Sequence, residues 1–194
     1  MLATMLDWES ITPNTFRRFT RAEYDRMVDL GMFEGEKLEL LHGLVVTMSP
    51  QGKPHDALTA WIDRELTLQL GRAYDVRSHS PFPASEDSEP EPDILVQLAV
   101  PGELDHVTKP LLLVETSNSS LRRDRLVKAA IYASAGVPEY WIVDVSNDVL
   151  TIDVHTDPSA EGYRVVTTLR DGDLLRPTRL PAEIRVADIP WPRD

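Results

Sequence analysis

PDILVQL (residues 92–98), PLLLVE (110–115) and VPEYWIVD (137–144) decide how this chain folds. Each is a short, nearly unbroken apolar run with a proline at or beside its start, the pattern of a strand buried on both faces. Between the second and third runs, residues 117–136 read SNSSLRRDRLVKAAIYASAG. Serines open this amphipathic stretch and Gly136 ends it, which are the start and stop signals of a helix. A strand, helix, strand succession of this length is a crossover, and the chain is expected to be an α/β protein.

Working outward, residues 1–19 show no periodicity, contain Pro13 and are expected to form an N-terminal arm. Thr20 and Glu23 have capping-box spacing ahead of Tyr24, Met27, Val28 and Met32, which predicts a helix from about Thr20 to Gly31. Leu38, Leu40 and Leu41, then Leu44, Val45 and Val46, flank His42-Gly43, which predicts a tight hairpin with Glu39 on its first strand. From Pro54 to Leu70 the apolar residues Leu58, Trp61, Ile62, Leu66 and Leu70 follow helical spacing, with His55 in the first turn. A strand is expected around residues 74–79. Glu86, Asp87, Glu89 and Glu91, interleaved with Ser and Pro, read as a solvated loop. Beyond Asp144 the pattern predicts an accessory C-terminal β meander. Residues 20–194 are thus expected to form a single domain with its core at about 37–145.

Composition narrows the chemistry. The 194 residues are enough for one substantial core, and 42% hydrophobic with 27% charged residues is an ordinary globular balance. Without cysteine there is no disulfide, zinc ribbon, iron–sulfur cluster or thiol nucleophile, whereas a hard, oxygen-liganded metal stays available. No apolar run reaches the roughly 20 residues of a bilayer span, and the N-terminus lacks a basic stretch followed by an apolar one, so a cytoplasmic location without membrane contact is expected. A formal net charge of −12 opposes tight nonspecific binding to polyanions, and any contact with DNA must be local. No glycine-rich phosphate loop is present.

Asp93 stands directly after Pro92, and Glu115 ends LLLVE, so two carboxylates fall at the margins of neighbouring buried strands. Sites of open sheets form there. A carboxylate in such surroundings is costly unless compensated, and a divalent cation held by oxygens compensates it. Asp124, Lys128 and Tyr132 follow at four-residue steps on one helical face, from which Lys128 can reach the two acids, to orient or deprotonate a water or to stabilise phosphate charge. Tyr132 is read as packing. Arg122, Arg123 and Arg125 form either a phosphate-contacting patch or a solvated helix end. Each candidate also has a plain reading: a backbone-bonded turn residue for Asp93, a buried ion pair for Glu115, an exposed pair with Asp124 for Lys128.

Five segments, ELLHG, MSP followed by His55, EPDILV, LLLVETSNSS and DRLVKAAIYASAGVPEYWIVD, resemble the restriction-endonuclease-like Uma-two family, placed in the PD-(D/E)XK nuclease superfamily. The resemblance runs over roughly residues 20–150. It implies a restriction-endonuclease-like mixed central sheet flanked by helices, with Asp93 and Glu115 as ligands of Mg²⁺ (Mn²⁺ substituting) and Lys128 as the catalytic lysine. Glu39 and His55 become accessory members. The superfamily's usual lysine lies two positions after the second acid, where this chain has Ser117, so the role passes to a lysine on the helix. The expectation is a Mg²⁺-dependent endonuclease. DNA is favoured as substrate because 7% aromatic residues offer no stacking platform for single strands. The alternatives are an inactive nuclease-fold module that binds DNA or a protein, and a hydrolase of small phosphoesters. The apolar C-terminal strands and Trp191 suggest a homodimer contact.

Overall fold

The computed structural model describes residues 17–48, 52–100 and 109–191. Six strands make one mixed sheet in the order β3-β4-β5-β6-β7-β8. They are β3 (Tyr74–Ser78), β4 (Ile94–Leu98), β5 (Leu112–Ser117), β6 (Glu139–Asp144), β7 (Thr151–Ser159) and β8 (Gly162–Leu169). All neighbours are antiparallel except β5 and β6, which run parallel with Glu115 opposite Ile142. That parallel pair is the expected crossover. The connecting helix is α3 (Leu121–Arg123), a π-helical turn (Asp124–Lys128) and α4 (Ala129–Ser134) in one continuous run.

Alternation along the apolar strands supplies two cores. Ile94, Val96, Leu112, Val114, Trp141 and Val143 point to one face, where α2 (Lys53–Leu70) lays down Leu58, Ile62, Leu66 and Leu70. Leu95, Leu113, Tyr140 and Ile142 point to the other, against Ala129, Ile131 and Tyr132 of the crossover helix. The strands read as continuous apolar runs because both faces are covered.

At the N-terminal side, α1 (Arg21–Asp29) carries the full capping box, with the Thr20 side chain accepting from Glu23 N–H and the Glu23 side chain from Thr20 N–H. The hairpin β1 (Leu38–Leu41) and β2 (Leu44–Thr47) turns at His42-Gly43. Of the N-terminal arm, residues 1–16 lie outside the described residues; Phe19 N–H donates to Gly43 O at 2.9 Å and ties residue 19 to the hairpin.

Two expectations need correction. The acidic stretch is not a freely solvated loop: Ser88 and Glu89 are buried, and Leu40 and Glu89 exchange backbone hydrogen bonds of 2.8 and 3.3 Å, which lay this segment along β1. Backbone groups bring it in, whatever the polarity of its side chains. The C-terminal meander is less accessory than expected, because β7 and β8 extend the central sheet. The short strands β9 (Leu174–Leu175) and β10 (Ile184–Arg185) follow, and Leu175, Leu180, Ile184, Val186 and Ile189 add to the core on the α2 face. Those residues thus pack in the chain's own core, while Val165 and Val166 of β8 stay exposed.

Candidate active site

Asp93 immediately precedes β4, and Glu115 is the fourth residue of β5. The register pairs Ile94 with Val114 and Leu95 with Leu113, so one further step sets Asp93 across from Glu115. By parity both lie on the face of Leu95 and Leu113, the face that the crossover helix covers. Together with His55, Asp124, Lys128 and Arg123 they line one cavity of about 140 Å³.

The helix supplies the basic partner. Lys128 Nζ stands 2.8 Å from Glu115 Oε1 and 3.0 Å from Glu39 Oε2, which brings Glu39 of β1 inward. Tyr132 donates its hydroxyl to the same Glu115 oxygen at 3.0 Å. Tyr132 is therefore a member of the site and not packing alone; its i+4 spacing from Lys128 carried that signal. On the other wall, Asp93 Oδ2 accepts the Thr116 backbone N–H at 2.8 Å and lies 3.1 Å from His55 Nε2. His79, which sequence reasoning passed over, brings Nδ1 to 3.8 Å from Asp93 Oδ1. A lone histidine after a strand has no pattern to mark it.

The three arginines do not form one patch. Arg123 lines the cavity and donates to Thr47 O at 3.0 Å. Arg125 instead bridges Asp144 and Asp153 at 3.1 and 2.7 Å. Trp191 also lines the cavity, with its indole N–H on Asp148 O at 3.1 Å.

Charge is out of balance here. Glu39, Asp93, Glu115 and Asp124 are 1%, 3%, 5% and 1% exposed, against one fully enclosed ammonium at Lys128, 2% exposed. Burial pushes the Glu115 carboxyl well above the ordinary carboxylate range; Lys128 opposes this, while Asp93, Asp124 and Glu39 add to it. For Lys128, burial acts downward, but Glu115, Glu39 and Asp124 outweigh it and hold the amine above the usual lysine value. Lys128 is thus an ammonium. The surplus negative charge needs a proton or a further cation, since buried like charges cannot all stay ionised.

The donor set suits one class of cation. Asp93 and Glu115 offer carboxylate oxygens, and thiols are absent from the chain. Among the described residues no group of three His, Cys, Asp or Glu is arranged to hold a metal ion. Mg²⁺ keeps much of its water and needs only one or two carboxylates from a protein. Glu115 Oε1 is engaged by Lys128 and Tyr132, which leaves Oε2 as the oxygen that can meet a cation.

The mixed six-stranded sheet, flanked by helices, with Asp93 just ahead of β4 and Glu115 within β5, has the architecture of a nuclease-type fold. A crystal structure described as "a putative nuclease belonging to DUF820 from Anabaena variabilis ATCC 29413" superposes with a TM-score of 0.60 at 17% identity, over 78% of this chain and 88% of that one. The chain belongs to the Uma2 family, described as "Putative restriction endonuclease", whose pattern matches residues 21–188. A search of curated proteins finds no match.

Proposed function

We propose that this protein is a Mg²⁺-dependent endonuclease that hydrolyses phosphodiester bonds in DNA, with Mn²⁺ able to substitute. The observation that carries the reading is the meeting of Asp93, Glu115 and Lys128 at one cavity whose buried carboxylates outnumber its cations. The family description supports a nuclease, and a DNA substrate accords with it.

Asp93 and Glu115 are the residues that would hold the metal. When bound, it lowers the pKa of a water and stabilises charge that develops on phosphate. Each ligand is oriented by neighbours: Asp93 by Thr116 N–H and His55, Glu115 by Lys128 and Tyr132. Lys128, held as a cation, acts by charge on the phosphoryl oxygens and does not serve as the base. Its approach from the helix suits the PD-(D/E)XK pattern despite Ser117, because the ammonium arrives at the second acid by another path. Arg123 at the cavity wall would contact a phosphate, and Glu39 fixes Lys128.

Supercoiled plasmid and duplex oligonucleotides incubated with Mg²⁺ or Mn²⁺ test this. Wild-type protein is expected to cut, Asp93→Ala and Glu115→Ala to lose at least about 100-fold in rate, and both to bind Mn²⁺ more weakly in calorimetry. A wild-type protein that cuts neither DNA nor chromogenic phosphodiesters, or an Asp93→Ala variant as active as wild type, rejects the reading. Absent cleavage with DNA binding intact would instead favour the inactive interaction module.

A further inference from the structure

Asp124 lines the same cavity as Glu115 and Lys128, yet it takes no part in holding a cation in the scheme above. Its Oδ2 accepts the Ser117 hydroxyl at 2.7 Å. Its Oδ1 is enclosed and, among the described residues, has no hydrogen-bond partner. A buried carboxylate oxygen without a donor is among the most costly arrangements a fold can keep, and it persists where a donor enters during function. A polar cavity of about 140 Å³ has room for water.

The backbone marks the same place. Ala129 N–H bonds back to Asp124 O, five residues away, so the crossover helix widens into a π turn that begins at Asp124 and ends at Lys128. Such single turns inside α-helices recur at functional sites. Ser117 occupies the position where the superfamily's lysine would stand, and here it clamps Asp124 instead. Among the described residues His55 Nδ1 also has no partner, but an unpaired imidazole nitrogen is a smaller penalty than an unpaired carboxylate oxygen.

We propose that Asp124 is a further catalytic residue, holding the attacking water through Oδ1 and taking up its proton. The inference rests on the phosphodiesterase reading and names the base which that reading lacks. The water oxygen forms the new bond to phosphorus as the bond from phosphorus to the leaving ester oxygen breaks. One water proton passes to Asp124 Oδ1, and the leaving oxygen takes its proton from solvent. Ser117 keeps Oδ2 occupied, which leaves Oδ1 as the oxygen that can accept from the water.

Asp124→Asn and Ser117→Ala in the full chain, with Mg²⁺ for cleavage and Mn²⁺ for calorimetry, test the assignment. Asp124→Asn is expected to lower kcat by about 100-fold or more while KM and Mn²⁺ affinity stay within about threefold. Its melting temperature should equal or exceed that of wild type, because a buried unpaired charge is removed. Ser117→Ala is expected to cost about fivefold to tenfold in kcat at unchanged KM. If wild type cuts and Asp124→Asn keeps its kcat, the assignment falls and the phosphodiesterase reading stands. A parallel loss of Mn²⁺ affinity and kcat makes Asp124 a ligand and overturns it too. A wild type that cuts nothing ends both. Should Asp124→Asn fail to fold, Ser117→Ala decides, and a wild-type kcat in that variant is the refuting result.

Discussion

Lys128 shows how one side chain is shared between stability and chemistry. It is buried, and its ammonium answers Glu115 and Glu39 together. Replacing it by methionine keeps the volume and removes the charge, leaving two enclosed carboxylates facing each other. The expected cost is about 3–5 kcal/mol, the usual penalty for breaking a buried pair from one side. In urea this reads as a lower midpoint with the slope unchanged, and Glu115→Gln on the same background should recover part of the loss. A Lys128→Met protein as stable as wild type would mean that the ammonium is not what neutralises Glu115. The residue types were legible in the sequence: a carboxylate ending an apolar strand demands a partner, and an i+4 series offers Lys128 and Tyr132. That Lys128 turns away from Asp124 toward two acids on other elements was not, because i+4 spacing favours the local pair equally well.

At the scale of elements, the β1–β2 hairpin carries Glu39 to the site. Its turn depends on Gly43, whose φ of +76° lies in the left-handed region and whose absent Cβ would meet Arg18 Cβ at 2.6 Å and Phe19 O at 2.9 Å. Gly43→Ala is therefore expected to destabilise by about 1 kcal/mol or more, since both backbone strain and a backbone collision oppose the methyl. A melting temperature equal to that of wild type would show that the Phe19 contact is dispensable. Periodicity, caps and glycine stops marked each main element, and α2 begins one residue before the expected Pro54. The π turn escaped, since its one extra residue per turn arises from what the helix packs on. The ordered acidic segment escaped for a similar reason: its place beside β1 comes from backbone hydrogen bonds with Leu40, which side-chain chemistry does not advertise.

Over the whole molecule, a net charge of −12 sets the terms on which DNA is approached. Few cations stand near the cavity, so few phosphates are neutralised on binding and few counterions released. A plot of log affinity against log salt for duplex DNA, measured without added Mg²⁺ or Mn²⁺, should have a slope of about −2 or shallower. A slope near −6 would mean that many more phosphates are neutralised than Lys128 and Arg123 at the cavity account for. No helix among the described residues is long and apolar enough to cross a membrane.

The order of apolar runs, turns and caps in the chain was sufficient to determine an α/β fold with a strand, helix, strand crossover and to mark Asp93 and Glu115 at the strand margins, because these signals are local and periodic, whereas the roles of Lys128, Glu39 and His55 came from the family resemblance. Only the folded chain decided which oxygen meets which donor, that Tyr132, Asp124, Ser117 and His79 stand beside them, and that the terminal strands close the core. Those outcomes depend on contacts between residues dozens of positions apart, and the register and burial that create them are properties of the packed whole.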